Sequence, residues 1–121
     1  MNILIAIDET LLLKVLALRL SKDGHNVTTV RNGEKALESI MIQAPHLIIA
    51  DSCMPNISGI QLLETLKSKS STKNIPIYIL TDNRKEKLMR YALDLGAEDL
   101  ISIPFNPDEI SDKISKLMRW H

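Results

Sequence analysis

The chain has 121 residues with 15 acidic and 15 basic side chains, so its formal net charge is zero. This length fits one domain with a substantial hydrophobic core, and the neutral balance argues against non-specific binding to nucleic acid. The single cysteine, Cys53, excludes an internal disulfide and fits a reducing compartment. No apolar run is long enough to span a membrane, and no basic leader precedes the first apolar run, so we expect a cytoplasmic protein.

Apolar strand-like runs and amphipathic helix-like runs alternate five times along the chain. This order predicts an α/β fold, a flavodoxin-like (βα)5 three-layer sandwich around a parallel sheet of order 2-1-3-4-5. The predicted strands cover residues 2–7, 26–30, 46–50, 75–80 and 98–102, and the predicted helices cover residues 10–22, 34–43, 58–68, 84–94 and 107–119.

Two acidic residues stand where predicted strands end. Asp8 follows the apolar run of residues 3–7, and Asp51 follows the apolar run of residues 47–50. In the order 2-1-3-4-5 these strands are neighbours, and ligands of open α/β sheets bind in the crevice at the carboxyl ends of such strands. We therefore expect the two carboxylates to share a cation or phosphoryl site. The alternative is that each acid caps the helix after it.

The residues beside Asp8 disfavour direct binding of a nucleotide phosphate. Asp8 is followed by Glu9 and Thr10 rather than by glycines with free N–H groups. Mg²⁺ binds carboxylate and carbonyl oxygens, and a carboxylate with Mg²⁺ beside it is a plausible phosphoryl acceptor. Thr81, which closes the fourth predicted strand, is placed to offer a hydroxyl group to a phosphoryl oxygen.

Four segments together resemble the receiver domains of bacterial two-component response regulators, in the manner of the chemotaxis regulators. The resemblance covers essentially the whole chain, so residues 1–121 are identified as a single receiver-like domain. The segments are NILIAIDE from residue 2, PHLIIADSCMPNISG from residue 45, PIYILTD from residue 76 and GAEDLISIPF from residue 96.

The resemblance implies roles for individual residues. Asp51 would accept a phosphoryl group from a histidine kinase or a phosphotransfer protein. Asp8, Asp51 and the backbone carbonyl of Cys53 would bind Mg²⁺, Thr81 would be the switch hydroxyl, and Pro104 would follow a cis peptide bond. The face formed by helix 4, strand 5 and helix 5 would contact a downstream protein or output domain. The domain would be a signalling module rather than an enzyme, with no membrane or nucleic-acid contact of its own.

The sequence also departs from the family pattern. Ile7 stands where the family has the first of two acids, and Ile103 stands where it has a lysine. We expect this paired loss of an acid and a base to leave the fold unstrained but to weaken metal binding or activity roughly 10–100-fold. Leu100 replaces the usual aromatic residue of strand 5, and Asp82 replaces a small residue. Asp82, like Asn83, also suits the cap of the next helix.

Three functions remain open at this stage. The first is a working receiver with weakened chemistry, and the second is a pseudo-receiver that acts as a phosphorylation-independent interaction module. The third, a remote alternative, is an aspartate-nucleophile hydrolase of the haloacid dehalogenase type. That family has a second acid two positions after the first, where this chain has Thr10, and the chain has no room for a cap domain.

Two predicted helices carry surface signals of their own. Helix 1 has more apolar residues than one buried stripe needs, which indicates either core packing or a partner surface. Helix 4 carries four cations, which suit either a solvated face or an acidic partner: Arg84, Lys85, Lys87 and Arg90.

Overall fold

Every strand and helix that the pattern predicts is present in the computed structural model, which describes residues 1–82 and 86–120. The five strands are β1 (Asn2–Ala6), β2 (Asn26–Val30), β3 (Leu47–Asp51), β4 (Ile77–Thr81) and β5 (Asp99–Ser102). The five helices are α1 (Thr10–Lys22), α2 (Gly33–Ile42), α3 (Gly59–Lys67), α4 (Glu86–Leu95) and α5 (Pro107–Trp120).

The strands form one parallel sheet in the order β2-β1-β3-β4-β5, which confirms the predicted flavodoxin-like topology. β1 and β3 are neighbours, and Ala6 lies opposite Ala50 in their register. Because both strands run the same way, Asp8 and Asp51 emerge at the same edge of the sheet. The topology alone therefore brings the two strand-end acids to one place.

The sheet is buried on both faces because its strands alternate between two apolar layers. In β1 and just after it, Ile3, Ile5 and Ile7 belong to the layer shared with α1 and α5. Leu4 and Ala6 belong to the opposite layer, which is shared with α2, α3 and α4. This period of two gives each strand a nearly continuous apolar sequence, as expected for a sheet covered by helices.

Side-chain caps fix where the helices near the carboxyl edge begin. Glu9 accepts hydrogen bonds from the backbone N–H groups of Leu11 and Leu12, at 3.1 and 2.8 Å, and so caps α1. Ser58 and Gln61 form a reciprocal capping box at the start of α3. Glu9 therefore serves the helix start, and of the first two acids of the chain only Asp8 is left for chemistry.

Three predictions have different outcomes in the structure. Asp51 is the last residue of β3 rather than the residue after it. The peptide bond between Ile103 and Pro104 is cis, as the resemblance implied. The predicted start of helix 4 at residue 84 and the proposed cap Asn83 lie outside the described residues. Within residues 1–82 and 86–120, no helix is both long and apolar enough to cross a membrane.

Candidate functional site

Asp51 is held rigidly at the carboxyl edge by main-chain contacts on both sides. It pairs with Leu80 in the register of β3 and β4, and the N–H of Ser52 donates to the carbonyl of Leu80 at 2.9 Å. A Cβ atom added to Gly59 would lie 2.2 Å from the carbonyl oxygen of Asp51. Only glycine fits at that position, so α3 begins in direct contact with the main chain of Asp51.

The loop after β3 folds back over the Asp51 carboxylate. The backbone N–H of Cys53 donates to Oδ1 of Asp51 at 3.1 Å. This contact places the main chain of Cys53 beside the carboxylate, while the Cys53 side chain is exposed. Asn56, farther along the loop, has a positive φ of 67°, a conformation that asparagine tolerates better than most residues.

Three carboxylates influence one another at this edge. The pKa of Asp51 is raised above its ordinary value, chiefly because the carboxyl is half-buried, while the N–H of Cys53 opposes the rise. The negative charges of Asp8 and Asp82 raise it further. The structure thus brings the predicted pair Asp8 and Asp51 close enough for their charges to interact, and the charge of Asp82 also acts on Asp51.

Asp8 is exposed, and its main chain is tied to the neighbouring loop. Nη2 of Arg31 donates to the backbone carbonyl oxygen of Asp8 at 3.0 Å. Sequence reasoning overlooked Arg31, although its position one residue past β2 was a signal, because β2 is the neighbour of β1. The edge therefore carries a guanidinium group as well as carboxylates.

Thr81 closes β4 beside these groups. It is 7% exposed, and its backbone carbonyl accepts from the N–H of Ile103 at 2.8 Å. Thr81, Ser52 and Leu100 line one small pocket together with residues of α4. The hydroxyl-bearing residue and the exit of β3 are therefore adjacent, as the strand order predicts.

Ile7 and Ile103 pack against apolar side chains and are not exposed at the carboxyl edge of the sheet. Ile7 is 0% exposed and belongs to the apolar layer under α1 and α5. Ile103 is partly buried against the same layer. Both side chains contribute to core packing, and among the described residues no buried polar side-chain atom lacks a hydrogen-bond partner.

The donor atoms at this edge suit a hard cation. No group of three or more His, Cys, Asp or Glu side chains able to hold a metal occurs among residues 1–82 and 86–120. The chemistry of the predicted ligands is nevertheless that of a hard-cation site, since Asp8, Asp51 and the Cys53 carbonyl would supply two carboxylates and a main-chain oxygen. Mg²⁺ typically binds through one or two carboxylates and keeps several waters, so these residues fit Mg²⁺.

A groove with different chemistry lies elsewhere. It has a volume of about 810 Å³ and runs between the edge strand β2 and α2. Its lining includes Arg31 and Lys35 but none of Asp8, Asp51 or Thr81. The acidic edge is selected as the functional site by its converging polar groups and its shifted pKa rather than by the size of a cavity.

Comparison with known proteins agrees with this geometry. The family described as the response regulator receiver domain matches residues 3–115. The two-component response regulator ORR3 of rice, Oryza sativa, is 32% identical over 109 residues, which cover 88% of this chain and 83% of that protein. The phosphate regulon transcriptional regulatory protein PhoB of Pseudomonas aeruginosa is 33% identical over 98% of this chain but only 52% of its own length.

A solved structure supports the same assignment. The signal receiver domain of a signal transduction histidine kinase from Syntrophus aciditrophicus superposes with a TM-score of 0.90 at 29% identity, covering 98% of this chain and 89% of that one. This chain spans about half the length of the transcriptional regulators that it matches. It belongs to the response regulator receiver domains, the signalling modules of two-component systems.

Proposed function

We propose that this receiver domain accepts a phosphoryl group on Asp51 with the help of Mg²⁺, and does so with weakened chemistry. One observation carries the proposal: the half-buried Asp51 carboxylate lies at the end of β3, close enough to Asp8 and Asp82 for their charges to raise its pKa. Concentrated negative charge of this kind is costly unless a cation or a reaction uses it.

The transfer exchanges one bond to phosphorus for another. The P–N bond of a phosphohistidine on the donor breaks, and a P–O bond forms on a carboxylate oxygen of Asp51. The freed imidazole nitrogen then takes up a proton from water. The N–H of Cys53 holds Oδ1 of Asp51 in place during this step, so the carboxylate meets the phosphorus in a fixed orientation.

Asp8, Asp51 and the backbone carbonyl of Cys53 would hold the Mg²⁺ ion. When bound, the ion supplies positive charge that offsets the repulsion between the carboxylates and the incoming phosphoryl oxygens. Asp8 can contribute because its carboxylate is exposed while its main chain is fixed.

Thr81 is the residue that would respond to the new group. Its backbone is fixed in the sheet by the bond from Ile103, so a hydroxyl contact to a phosphoryl oxygen would involve the side chain alone. Leu100 and residues of α4 lie against the same small pocket. A shift of the Thr81 side chain would therefore be felt by α4 and β5.

The weakened chemistry follows from Ile103, whose backbone N–H donates to the carbonyl of Thr81. Ile103 packs against the core and offers no positive charge to a phosphoryl group. Ile7 likewise offers no carboxylate to support the metal, and the loss of a group that supports metal ligands costs roughly 10–100-fold in metal affinity or activity. We expect slow phosphorylation rather than none, because the acceptor and the metal ligands remain.

The outer face of α1 suits the helical surface of a phosphodonor. Leu11 and Leu18 are 67% and 72% exposed, and Val15 between them is also exposed. The spacing of these three places them on one face of the helix, opposite the buried Leu16. A histidine kinase or phosphotransfer protein would cover this stripe when it brings its phosphohistidine to Asp51.

The face formed by α4, β5 and α5 would carry the output. Leu88, Tyr91 and Leu93 of α4 are exposed. Tyr91 also donates from its hydroxyl to Oε2 of Glu64 at 2.7 Å, which ties α4 to α3. A change in the position of α4 would alter this face, which is where a downstream protein or output domain would bind.

The test is intact mass spectrometry after incubation with acetyl phosphate and Mg²⁺. We expect an adduct of about 80 Da, the mass of HPO₃, in the native protein. The adduct should be absent from Asp51→Asn and retained in Asp94→Asn, a matched change on the exposed surface of α4. No adduct with acetyl phosphate or with a cognate kinase would refute phosphoryl acceptance.

A second function, a phosphorylation-independent interaction module, is favoured by one observation. Ile7 and Ile103 both pack into the apolar layer, so the fold is complete without the usual charges. Under this alternative the exposed stripe of α1 or the α4 face binds its partner equally well in the native protein and in Asp51→Asn. A partner that distinguishes phosphorylated from unphosphorylated protein would exclude it.

A further inference from the structure

We propose that Arg31 is a positioning residue for Mg²⁺: it holds the main chain of Asp8 so that the Asp8 carboxylate is presented to the metal. This inference rests on the proposed function and adds the residue that follows β2 to a site otherwise built at the ends of β1, β3 and β4. Arg31 acts through Asp8 and does not itself bind the metal.

The register of the sheet explains how Arg31 reaches Asp8. Val30 lies opposite Ala6, and the N–H of Ile7 donates to the carbonyl of Val30 at 3.1 Å. Arg31 therefore leaves the sheet level with Ile7. Its side chain extends one residue farther along the segment that follows β1, where Nη2 donates to the carbonyl oxygen of Asp8 at 3.0 Å.

The loop that carries Asp8 is fixed at three successive points. Ile7 before it is fully buried, and Glu9 after it caps α1 through the N–H groups of Leu11 and Leu12. Arg31 holds the carbonyl between these two anchors. The main chain on both sides of Asp8 is thus constrained, while the Asp8 side chain remains exposed to solvent.

Arg31 donates to the backbone carbonyl of Asp8 and not to its carboxylate, and this choice of acceptor supports a positioning role. A guanidinium paired with the Asp8 carboxylate would compete with a metal for the same oxygens. Arg31 therefore leaves the Asp8 carboxylate available and acts on geometry, as supporting residues around metal ligands do.

This role and a purely electrostatic one predict changes of opposite sign. If Arg31 only adds positive charge near the edge, its removal should tighten the binding of a cation. If it positions Asp8, its removal should weaken Mg²⁺ binding, roughly tenfold by analogy with other residues that support metal ligands. The sign of the change in Mg²⁺ affinity therefore separates the two.

The experiment is a Mg²⁺ titration at constant ionic strength, followed by the backbone amide NMR signals of Asp8, Asp51 and Cys53. We expect Arg31→Met to raise the Mg²⁺ dissociation constant and Arg31→Lys to recover part of the loss. Lys35→Met is the matched control. Lys35 lies in the first turn of α2 and pairs with Glu38 at 3.4 Å, so the control removes a nearby charge without a contact to Asp8.

A second readout needs no metal. Amide hydrogen exchange at Leu11 and Leu12, whose N–H groups donate to Glu9, should quicken in Arg31→Met and stay unchanged in Lys35→Met, because only the first variant releases the Asp8 loop. Unchanged or tighter Mg²⁺ binding by Arg31→Met would overturn the inference and leave the proposed function standing. A native protein whose Asp8, Asp51 and Cys53 signals do not respond to Mg²⁺ would overturn the metal site itself, and this inference with it.

Discussion

The candidate site has two halves that differ in the functional groups that they contain. The half on β1 and β3 keeps two carboxylates, a loop N–H directed at Asp51 and a guanidinium that holds Asp8. The half on β4 and β5 keeps the hydroxyl of Thr81 but has Ile103 packed against the core and an added negative charge at Asp82. Under the proposed function, acceptance of a phosphoryl group and the response to it would depend on separate strands, so each would weaken independently of the other.

The largest expected effect comes from a substitution that displaces the main chain of the β1–β3 half. Gly59→Ala places a methyl group 2.2 Å from the Asp51 carbonyl oxygen, so the start of α3 must move away from β3. We expect a loss of about 3 kcal/mol in the free energy of unfolding, as for other cases of overpacking, measured by urea denaturation.

Gly24→Ala is the matched control for that variant. Gly24 has a φ of +99°, but no atom lies within 4 Å of an added Cβ, so its substitution costs backbone strain alone. We expect about 1–2 kcal/mol for this residue. Equal losses in the two variants would mean that the contact between Gly59 and Asp51 does not constrain the site.

A smaller effect, on the rate of phosphorylation, is expected from a substitution in the β4–β5 half. Ile103→Lys restores a positive charge beside Thr81, where an ammonium group would stabilise the added phosphoryl oxygens. We expect the initial rate of phosphorylation by acetyl phosphate to rise roughly tenfold, followed by intact mass against time. Ile103→Leu, which keeps the apolar volume, should leave the rate unchanged, and a rate for Ile103→Lys no higher than that of Ile103→Leu would contradict the weakened-site interpretation.

The smallest expected effect concerns the ionisation of Asp51, which is influenced by Asp8 in one half of the site and by Asp82 in the other. The pKa of Asp51 is raised above its ordinary value of 3.8, mainly by burial and then by Asp8 and Asp82. The unfolded chain therefore ionises Asp51 more readily than the folded chain does. The stability that Asp51 contributes is fully present below pH 3.8 and is lost as the pH rises through the folded pKa.

Asp51→Asn should accordingly be slightly more stable than the native protein at neutral pH, with the difference shrinking in acid. Urea denaturation of both proteins across a pH series measures this difference. A native protein that gains stability over Asp51→Asn as the pH rises would show that the fold favours the ionised carboxylate, contrary to the burial argument.

The fold and the acceptor half were accessible from sequence for physical reasons. Five alternating apolar runs require a covered parallel sheet, and the strand order then places the acids after β1 and β3 together. The resemblance to receiver domains supplied what the pattern could not, the involvement of the Cys53 main chain and the cis bond before Pro104, of which the structure confirms the cis bond.

Two features of the site were beyond sequence reasoning. The position of Arg31 just past β2 places it near Asp8, but its bond to the Asp8 carbonyl joins a side chain to main chain, so no pairing of residue types predicts that contact. Asp82 suited both a helix cap and the site, and only its effect on the pKa of Asp51 shows that its charge acts on that carboxyl. Both features depend on distances across strands, which local patterns do not encode.

The most direct measurement is a crystal structure with Mg²⁺ and beryllium trifluoride, a phosphoryl mimic. We expect the metal bound by Asp8, Asp51 and the Cys53 carbonyl, with the mimic on the Asp51 carboxylate and the Thr81 hydroxyl turned toward it. A structure grown with both reagents in which the edge binds neither, or in which the metal binds away from Asp8 and Asp51, would contradict the central claim that Asp51 is a working phosphoryl acceptor.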